Sequence, residues 1–198
     1  MRAKGKQGEK PGKVRIIAGE YRGRRIAFPA LADLRPTPDR VRETLFNWLG
    51  QWLDGQRCLD LFAGSGALGF EAASRGASRV VMVDSDRQVA AHLEAARRTM
   101  DAAQVEVVHG DAREYLARRG EPFDVVFLDP PFRQNAVPGL LAVLPPRLST
   151  GARVYAESAA PVEPSAPWHV LRSDRAGQVH FQLLEWRGDD QGGIRGNV

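Results

Sequence analysis

After residue 56, the hydrophobic positions occur in short, nearly continuous runs rather than in strict alternation. Such runs are typical of strands that are buried on both faces, as in a parallel sheet. Helical stretches separate several of the runs, which predicts an α/β architecture with a mostly parallel sheet. The predicted parallel strands are RCLDLF (57–62), RVVMVD (79–84), VEVVHG (105–110), FDVVFLD (123–129) and ARVYAE (152–157), and VHFQLLEW (179–186) is predicted to be a final strand.

Residues 14–50 have a different pattern, which predicts a small N-terminal extension. The segments VRIIAG and RRIAF flank a turn at residues 20–23, so they predict a short hairpin. Pro38 suits the first turn of a helix that runs through VRETLFNWL. One face of this helix is apolar at helical spacing and is predicted to join the core: Val41, Leu45, Trp48 and Leu49.

The chain therefore divides into four segments. Residues 1–13 are rich in glycine and lysine and are predicted to form a disordered basic arm. Residues 14–50 are the extension, and residues 51–187 are the main domain. Residues 188–198 are polar and are predicted to form a disordered tail.

Composition narrows the class of protein. A chain of 198 residues with 43% hydrophobic positions is long enough for one domain with its own core. It contains neither an apolar run as long as a membrane span nor an apolar signal segment, so we expect a cytoplasmic, monomeric protein without a membrane partner. The single cysteine, Cys58, excludes an internal disulfide bond. The four histidines show no metal-ligand spacing, so no metal site is predicted.

Basic residues are concentrated at the N-terminus. Nine of the 28 lysine and arginine residues, but only two acidic residues, lie within the first 25 positions. A basic arm on a slightly acidic body is typical of attachment to a polyanion such as nucleic acid. A solubilising tail explains the same charge equally well, so charge alone leaves both interpretations open.

The segment LDLFAGSGALGFEAASRGA (59–77) carries the densest chemical signal. A predicted strand ends within it, a loop of small residues follows at positions 63–66, and a helix begins near Ala67. Glycines let the backbone turn tightly and approach a ligand closely, and the start of a helix offers free N–H groups. The loop therefore favours a nucleotide-like ligand, although a single loop of this kind is a weak signal.

Acidic residues at the ends of successive predicted strands strengthen that signal. Asp60 lies at the end of the first strand, and Asp84 ends the second, where it can bind ribose hydroxyls. Asp111 follows the third strand, where it can reach an adenine ring. Each acid alone is more simply a loop or cap residue. Three of them at three successive strand ends predict a nucleotide site.

The loop lacks the features of a dinucleotide site. Phe62 occupies the position of an early glycine, and no basic residue is placed to hold a second phosphate. The loop resembles motif I of the class I S-adenosylmethionine-dependent methyltransferases, an acidic-x-Gly-x-Gly-x-Gly pattern in which Gly64 and Gly66 match two glycines. The resemblance implies S-adenosyl-L-methionine as cofactor and a Rossmann-like, mostly parallel seven-stranded sheet flanked by helices. The cofactor-binding residues that it implies are Asp60, Phe62, Gly64, Ser65, Gly66, Asp84, Asp111 and Ala112.

The stretch FLDPPF (127–132) ends a predicted strand with a carboxylate, two prolines and an aromatic ring. An exocyclic amine is a poor nucleophile because its lone pair is delocalised into the base. The Asp129 carboxylate and the Pro130 carbonyl can accept its two hydrogens, which directs the lone pair and stabilises the charge that develops on nitrogen. Phe132 can stack on the base.

This stretch resembles the (Asp/Asn/Ser)-Pro-Pro-(Tyr/Phe) motif of methyltransferases that modify exocyclic or amide nitrogens. The candidate catalytic residues are therefore Asp129, Pro130 and Phe132, and Pro131 is a candidate substrate contact. A turn with a buried phenylalanine is the simpler structural alternative. The motif alone is shared by enzymes that act on DNA, RNA and protein glutamine.

The N-terminal segments narrow the substrate. RIIAGEYRGRRI (15–26) and LRPTPDRVRETLFNWL (34–49), followed in order by the glycine loop and DPPF, closely resemble the small-subunit ribosomal RNA guanine-N2-methyltransferase family called RsmD. The resemblance runs from about residue 14 to about residue 185. It implies methylation of the exocyclic N2 amine of one guanine in 16S rRNA, within a 30S subunit or an assembly intermediate. The residues leave open an enzyme acting on DNA adenine or protein glutamine, and a non-catalytic rRNA-binding assembly factor.

Arginines of the extension are further candidates for binding. In related amino-methyltransferases a segment near the N-terminus closes over the methionine end of the cofactor, so residues 14–50 are expected to contact substrate and cofactor. Arg42 could bind that methionine carboxylate or an RNA phosphate, although a surface ion pair is the default account. Arg22, Arg24 and Arg25, on the predicted hairpin, are better candidates for RNA phosphates.

Overall fold

The structure is a computed structural model that describes residues 12–29, 36–131 and 136–188. Phe132, most of the predicted basic arm and most of the predicted C-terminal tail lie outside the described residues. Among the described residues, no helix has both the length and the apolar character that a membrane span requires.

The described N-terminal part is an antiparallel hairpin, β1 (Gly12–Arg15) and β2 (Arg25–Phe28), followed by helix α1 (Asp39–Leu49). The first strand begins two residues inside the segment predicted to be a disordered arm. The helix begins after Pro38. It is terminated by Gly50, which has a φ of 100° and therefore the left-handed conformation that glycine adopts easily. Ile26 and Phe46 belong to the same core cluster as the sheet residue Phe127, so the extension and the main domain share one core.

A seven-stranded sheet forms the main domain. Its strands are β3 (Arg57–Asp60), β4 (Arg79–Asp84), β5 (Val105–His109), β6 (Phe123–Leu128), β7 (Leu148–Ser158), β8 (Trp168–Ala176) and β9 (Val179–Trp186). The strand order is β5-β4-β3-β6-β7-β9-β8, with parallel pairing from β5 through β7 and antiparallel pairing of β9 with both of its neighbours. The predicted mostly parallel sheet is therefore confirmed.

Strand β8 was missed in the sequence. It reads WHVLRSDRA, and most of its side chains are exposed. Its register with β9 shifts between Val170 and Arg172. Because β8 lies at the edge of the sheet, it needs little burial and therefore carries no continuous apolar run.

Helices cover both faces of the sheet. Besides α1 they are α2 (Ala67–Ser74), α3 (Arg87–Met100), α4 (Ala112–Ala117) and α5 (Val137–Val143). The first three helices contribute to one core cluster and the last two to the other. Successive residues of β6 alternate between the two clusters, as Phe127 and Leu128 illustrate, because neighbouring side chains on a strand point to opposite faces.

Candidate active site

The predicted acidic residues meet at one edge of the sheet. Asp60 and Asp84 end β3 and β4, and Asp111 and Asp129 follow β5 and β6 within two residues. These four strands are parallel neighbours, so their carboxyl ends lie at the same edge. In open α/β sheets this is the edge at which ligands bind.

The loop between β3 and α2 turns on two glycines. Gly64 and Gly66 have φ values of 50° and 79°, in the left-handed region. A Cβ atom at Gly66 would lie 2.7 Å from Cδ2 of Phe70 and 2.8 Å from Cδ2 of Leu93, so a side chain does not fit there. At the start of α2 the loop therefore presents backbone rather than side chains. Within it Ser65 is buried.

Phe62 lies before these glycines and is half-buried against the second core cluster. It therefore contributes to the apolar packing of that cluster. Its predicted contact with a cofactor stays a prediction.

Asp84 fastens the glycine loop to β4. Its Oδ2 accepts a hydrogen bond from the N–H of Gly64 at 2.9 Å, and its Oδ1 accepts one from the N–H of Asp86 at 2.8 Å. Burial raises the pKa of the Asp84 carboxyl. Each oxygen has a second lone pair, so the same carboxylate can also accept a ribose hydroxyl. That contact stays a prediction.

Asp60 lies beneath the loop with only 1% of its surface exposed. Its Oδ2 accepts from the N–H of Gly69 at 3.0 Å. Burial is the main cause that raises its pKa to about 7, and the negative charge of Asp84 adds to the rise. Asp60 thus holds the start of α2 in place, and the contacts described for it are internal rather than directed to a ligand.

Asp111 is exposed and caps helix α4. Its Oδ1 accepts from the N–H groups of Arg113 and Glu114 at 2.8 and 3.1 Å. Ala112 is buried next to it. Asp111 therefore has the capping role that its position suggests. Among the described contacts, only its Oδ1 takes part in capping. The predicted contact of Asp111 with adenine stays a prediction.

Asp129 follows β6 directly. Burial raises the pKa of its carboxyl well above the usual value, and the negative charges of Glu157 and Asp60 raise it further. A hydrogen bond with the Thr37 hydroxyl acts in the opposite direction. Pro130 is buried behind Asp129, whereas Pro131 is exposed.

Glu157 belongs to this site but was missed in the sequence. The register pairs Leu128 with Ala156, so Asp129 and Glu157 are neighbours on adjacent parallel strands. Glu157 is 6% exposed, and its Oε1 accepts from the Tyr155 hydroxyl at 2.7 Å. The available signal was that the predicted strand ARVYAE ends in an acid, as do the predicted strands that end at Asp84 and Asp129.

Arg42 is fully buried. Its guanidinium donates to the backbone carbonyls of Arg15 and Thr37 at 2.9 and 3.2 Å, and to Asp39 and Glu71 at 2.6 and 3.4 Å. The default expectation of a surface ion pair is wrong, because the guanidinium lies inside the protein. Its described partners are internal, so the predicted contact with cofactor or RNA stays a prediction.

The hairpin arginines face solvent. Arg22, Arg24 and Arg25 are all exposed. Arg24 is partly held in place, because its Nη1 donates to the carbonyl of Met100 at 3.2 Å and its guanidinium lies 5.4 Å from the centre of the Tyr21 ring. Binding of these arginines to RNA stays a prediction.

A basic groove of about 370 Å³ opens between the hairpin and the start of α1. Lys13, Arg15 and Arg25 line it together with Thr37. Asp39 also lines it and forms an ion pair with Arg15 at 3.3 Å. Because the Thr37 hydroxyl interacts with Asp129, the groove adjoins the acidic edge of the sheet.

Comparisons with known proteins agree with this geometry. A protein-family model described as "Conserved hypothetical protein 95" matches residues 14–185. Ribosomal RNA small subunit methyltransferase D of Escherichia coli (strain K12) is 42% identical over 180 residues, which cover 88% of this chain and 90% of that protein. The protein of the same name from Haemophilus influenzae is 40% identical over 182 residues, which cover 88% and 94% of the two chains.

A solved structure gives the same result. The candidate methyltransferase yhhF from Escherichia coli has a TM-score of 0.80 and 42% identity, over 89% of this chain and 99% of that chain. The fold and the extent of these matches are those expected from the sequence. The resemblance seen in the motifs is therefore confirmed, and the chain belongs to the RsmD family, the family of ribosomal RNA small subunit methyltransferase D.

Proposed function

We propose that the protein transfers a methyl group from S-adenosyl-L-methionine to the exocyclic N2 amine of a guanine in small-subunit rRNA. The observation that carries the proposal is the position of Asp129 and Pro130 at the end of β6, on the same edge as the glycine loop and its acids. The similarity to rRNA small subunit methyltransferase D supports the choice of rRNA over DNA or protein.

The acidic edge fits a cofactor that carries positive charge and no phosphate. The stretch from Asp60 to Ala67 contains no lysine or arginine, so nothing in the loop would offset a pyrophosphate. S-adenosylmethionine supplies an electrophilic methyl group on a cationic sulfur. Asp84 would accept the ribose hydroxyls, Asp111 would lie on the adenine side, and the backbone at residues 64–66 would approach the methionine part.

Asp129 and Pro130 would orient the substrate amine. Their oxygens accept its two hydrogens and so direct the nitrogen lone pair at the methyl carbon. No strong base is needed, because the nitrogen becomes acidic only once it is methylated and cationic. Asp129 therefore acts first as an orienting acceptor and afterwards as an acceptor for the departing proton. Stacking of Phe132 on the guanine is a further part of the proposal.

The basic groove supplies the RNA contact in this proposal. Lys13, Arg15 and Arg25 present positive charge beside Thr37, so phosphates bound there would place a nucleotide near Asp129. Phosphate contacts of this kind position the substrate, whereas the acidic edge selects the base. The expected substrate is 16S rRNA within a 30S subunit or an assembly intermediate.

Mass spectrometry of rRNA nucleosides tests the function. Small-subunit rRNA from cells that lack the protein is expected to lose one N2-methylguanosine, and purified protein with S-adenosylmethionine should restore it. Incubation of free 16S rRNA and of 30S particles in parallel identifies the preferred substrate. An unchanged nucleoside profile, with methylation of DNA adenine or protein glutamine instead, would refute the proposal.

Asp84→Ala is expected to weaken binding of S-adenosylhomocysteine by roughly 1–3 kcal/mol, because ribose hydroxyls would lose their acceptor. Titration calorimetry measures this change, and NAD should not bind to either protein. Asp174→Ala, which removes an exposed carboxylate on β8, is the matched control and should bind like the wild type. Equal affinity in the Asp84 variant would remove Asp84 from the cofactor site.

Replacement of Lys13 and Arg25 by glutamine is expected to flatten the salt dependence of rRNA binding. Each lost phosphate contact removes about 0.7 to 0.9 units from the slope of log affinity against log salt, because fewer counterions are released. Filter binding across a salt series measures the slope. Replacement of Arg172 and Arg175, exposed on β8, by glutamine is the control. If both double variants have the wild-type slope, the groove does not bind RNA.

A further inference from the structure

Asp129 and Glu157 lie side by side at the ends of two parallel strands. The register of β6 with β7 pairs Leu128 with Ala156, so the next residue on each strand is also adjacent. Side chains alternate along a strand, so both carboxyl groups point to the face on which Tyr155 packs. The strand geometry alone therefore places these two acids together.

Hydroxyl groups hold this pair from two sides. The Tyr155 hydroxyl donates to Oε1 of Glu157 at 2.7 Å. The Thr37 hydroxyl, which precedes α1, acts on both carboxyls and lowers the pKa of Glu157 and of Asp129. Thr37 and Glu157 are both buried, so these contacts lie away from bulk water. The other acid that acts on Asp129 is Asp60 on β3.

No cation balances the pair among the described residues. Burial raises the pKa of Glu157, and burial together with the charge of Glu157 raises the pKa of Asp129. None of the groups that shift either carboxyl is a lysine or an arginine. Two adjacent carboxylates without a cation, Glu157 buried and Asp129 half-buried, do not both ionise readily, so one of them keeps its proton.

We infer that Glu157 is a positioning residue whose negative charge keeps the proton of the pair on Asp129, and so sets the pH above which the Asp129 carboxylate is free to accept hydrogens of the substrate amine. The inference rests on the proposed methyl transfer and deepens it. With the proton on Asp129, the pair carries a single negative charge, located on Glu157, and loss of that proton produces the Asp129 carboxylate that accepts the substrate amine. The Tyr155 hydroxyl, which donates to Oε1 of Glu157, stabilises the ionised form of that carboxyl.

The chemical step begins once Asp129 has lost its proton. The nitrogen lone pair forms the new N–C bond while the C–S bond breaks and its electron pair stays on sulfur, which becomes neutral. The methylated nitrogen is then cationic and gives one proton to the Asp129 carboxylate. The pair then holds one proton, on Asp129, and this proton leaves to water before the next turnover.

The dependence of kcat/KM on pH distinguishes this role from a purely structural one. Asp129 has to be ionised to accept the amine hydrogens, so activity should rise with pH through the apparent pKa of the pair. Glu157→Gln removes the neighbouring negative charge, which lowers the pKa of Asp129. The rising limb should then move to lower pH by about one unit.

Two companion variants complete the test. Tyr155→Phe removes a donor that lowers the pKa of Glu157, so Glu157 holds its proton more firmly and the limb should move in the same direction by a smaller amount. Glu121→Gln makes the same chemical change as Glu157→Gln at an exposed glutamate just before β6, so the limb should stay in place. Thermal unfolding and S-adenosylhomocysteine binding establish that each variant is folded.

The outcomes separate the inference from the proposed function. If the wild-type protein forms no N2-methylguanosine, the proposed function fails and the pH series has no basis. If the wild type is active, and the limbs of Glu157→Gln and Tyr155→Phe coincide with it or move to higher pH, the inference is overturned. A loss of rate without movement of the limb likewise means that Glu157 is only structural. If Glu157→Gln does not fold, the Tyr155→Phe limb decides alone.

Discussion

Asp129→Ala is expected to lower kcat for rRNA methylation by about 10²–10³-fold, because the amine would lose a preorganised acceptor for the charge that develops on nitrogen. Asp129 follows β6 without an intervening residue, and its carboxyl lies among other acids rather than beside a base. Binding of S-adenosylhomocysteine should be largely unchanged, since the ribose and adenine contacts are assigned to other strands. Single-turnover methylation of 30S particles measures the rate.

The matched variant Asp129→Asn separates orientation from proton transfer. Asparagine keeps a carbonyl oxygen at the same position, so it should retain measurable turnover above the alanine variant. It cannot hold a proton in the pH range of the assay, and water would then take the proton from the methylated nitrogen. An asparagine variant as inactive as the alanine variant would mean that the carboxylate is an obligatory base and that orientation is secondary.

The sheet was predictable because its parallel strands are buried on both faces. The runs that end at Asp84 and Asp129 are apolar at nearly every position, and each ends at a residue where buried backbone gives way to a polar edge. Strand β8 carries no such signal. Its residues pair only with β9 and are mostly exposed, so their polarity is that of a loop.

The sequence predicted those residues of the candidate site that can be recognised from one strand at a time. Asp60 lies near the end of a predicted strand, Asp84 and Asp129 each end one, and parallel strands bring their ends together without further information. Glu157 also ends a predicted strand, but its importance depends on the register of β7 with β6. That register is a property of the assembled sheet. The DPPF motif drew attention to Asp129 and away from its neighbour on the next strand.

Arg42 illustrates the same limit for the extension. On a helical wheel it is a polar residue beside the apolar face of α1, which suggests a surface ion pair. In the fold Arg42 is buried, and its guanidinium donates to Glu71 on α2, a residue 29 positions away in the sequence. Glu71 is fully buried and also accepts from the backbone N–H groups of Ile17 and Ala18 at 2.8 and 3.0 Å. No local pattern predicts a buried carboxylate that binds two separate segments.

Together, Arg42 and Glu71 join the extension to the main domain. Glu71 lies on α2, directly after the glycine loop, and binds the segment that follows β1. Arg42 lies on α1 and binds both Glu71 and the carbonyl of Arg15 at the end of β1. Arg75 completes the cluster, since its Nε donates to Glu71 at 2.8 Å. The hairpin, α1 and α2 are therefore fixed to one another by buried charge.

Arg42→Ala is expected to lower the free energy of unfolding by about 3–5 kcal/mol, because the removal of one partner leaves buried charge and buried carbonyls uncompensated. Arg40→Ala, on the exposed side of the same helix, should change stability by no more than about 0.5 kcal/mol. Urea denaturation of the two variants and the wild type measures the difference. This loss of stability is the result expected from the internal partners of Arg42. The predicted contact of Arg42 with the cofactor would instead weaken cofactor binding.

Binding measured well below the unfolding transition distinguishes the two roles of Arg42. Where the Arg42→Ala protein is folded, a residue with only internal partners should leave the affinity for S-adenosylhomocysteine close to that of the wild type. A residue that binds the methionine carboxylate should instead lower affinity by roughly 1.5–3 kcal/mol, the contribution of a hydrogen bond to a charged group. Wild-type stability combined with weakened binding would show that Arg42 leaves its internal partners for the cofactor. Lost stability with unchanged binding would establish it as the buried link between the extension and the main domain.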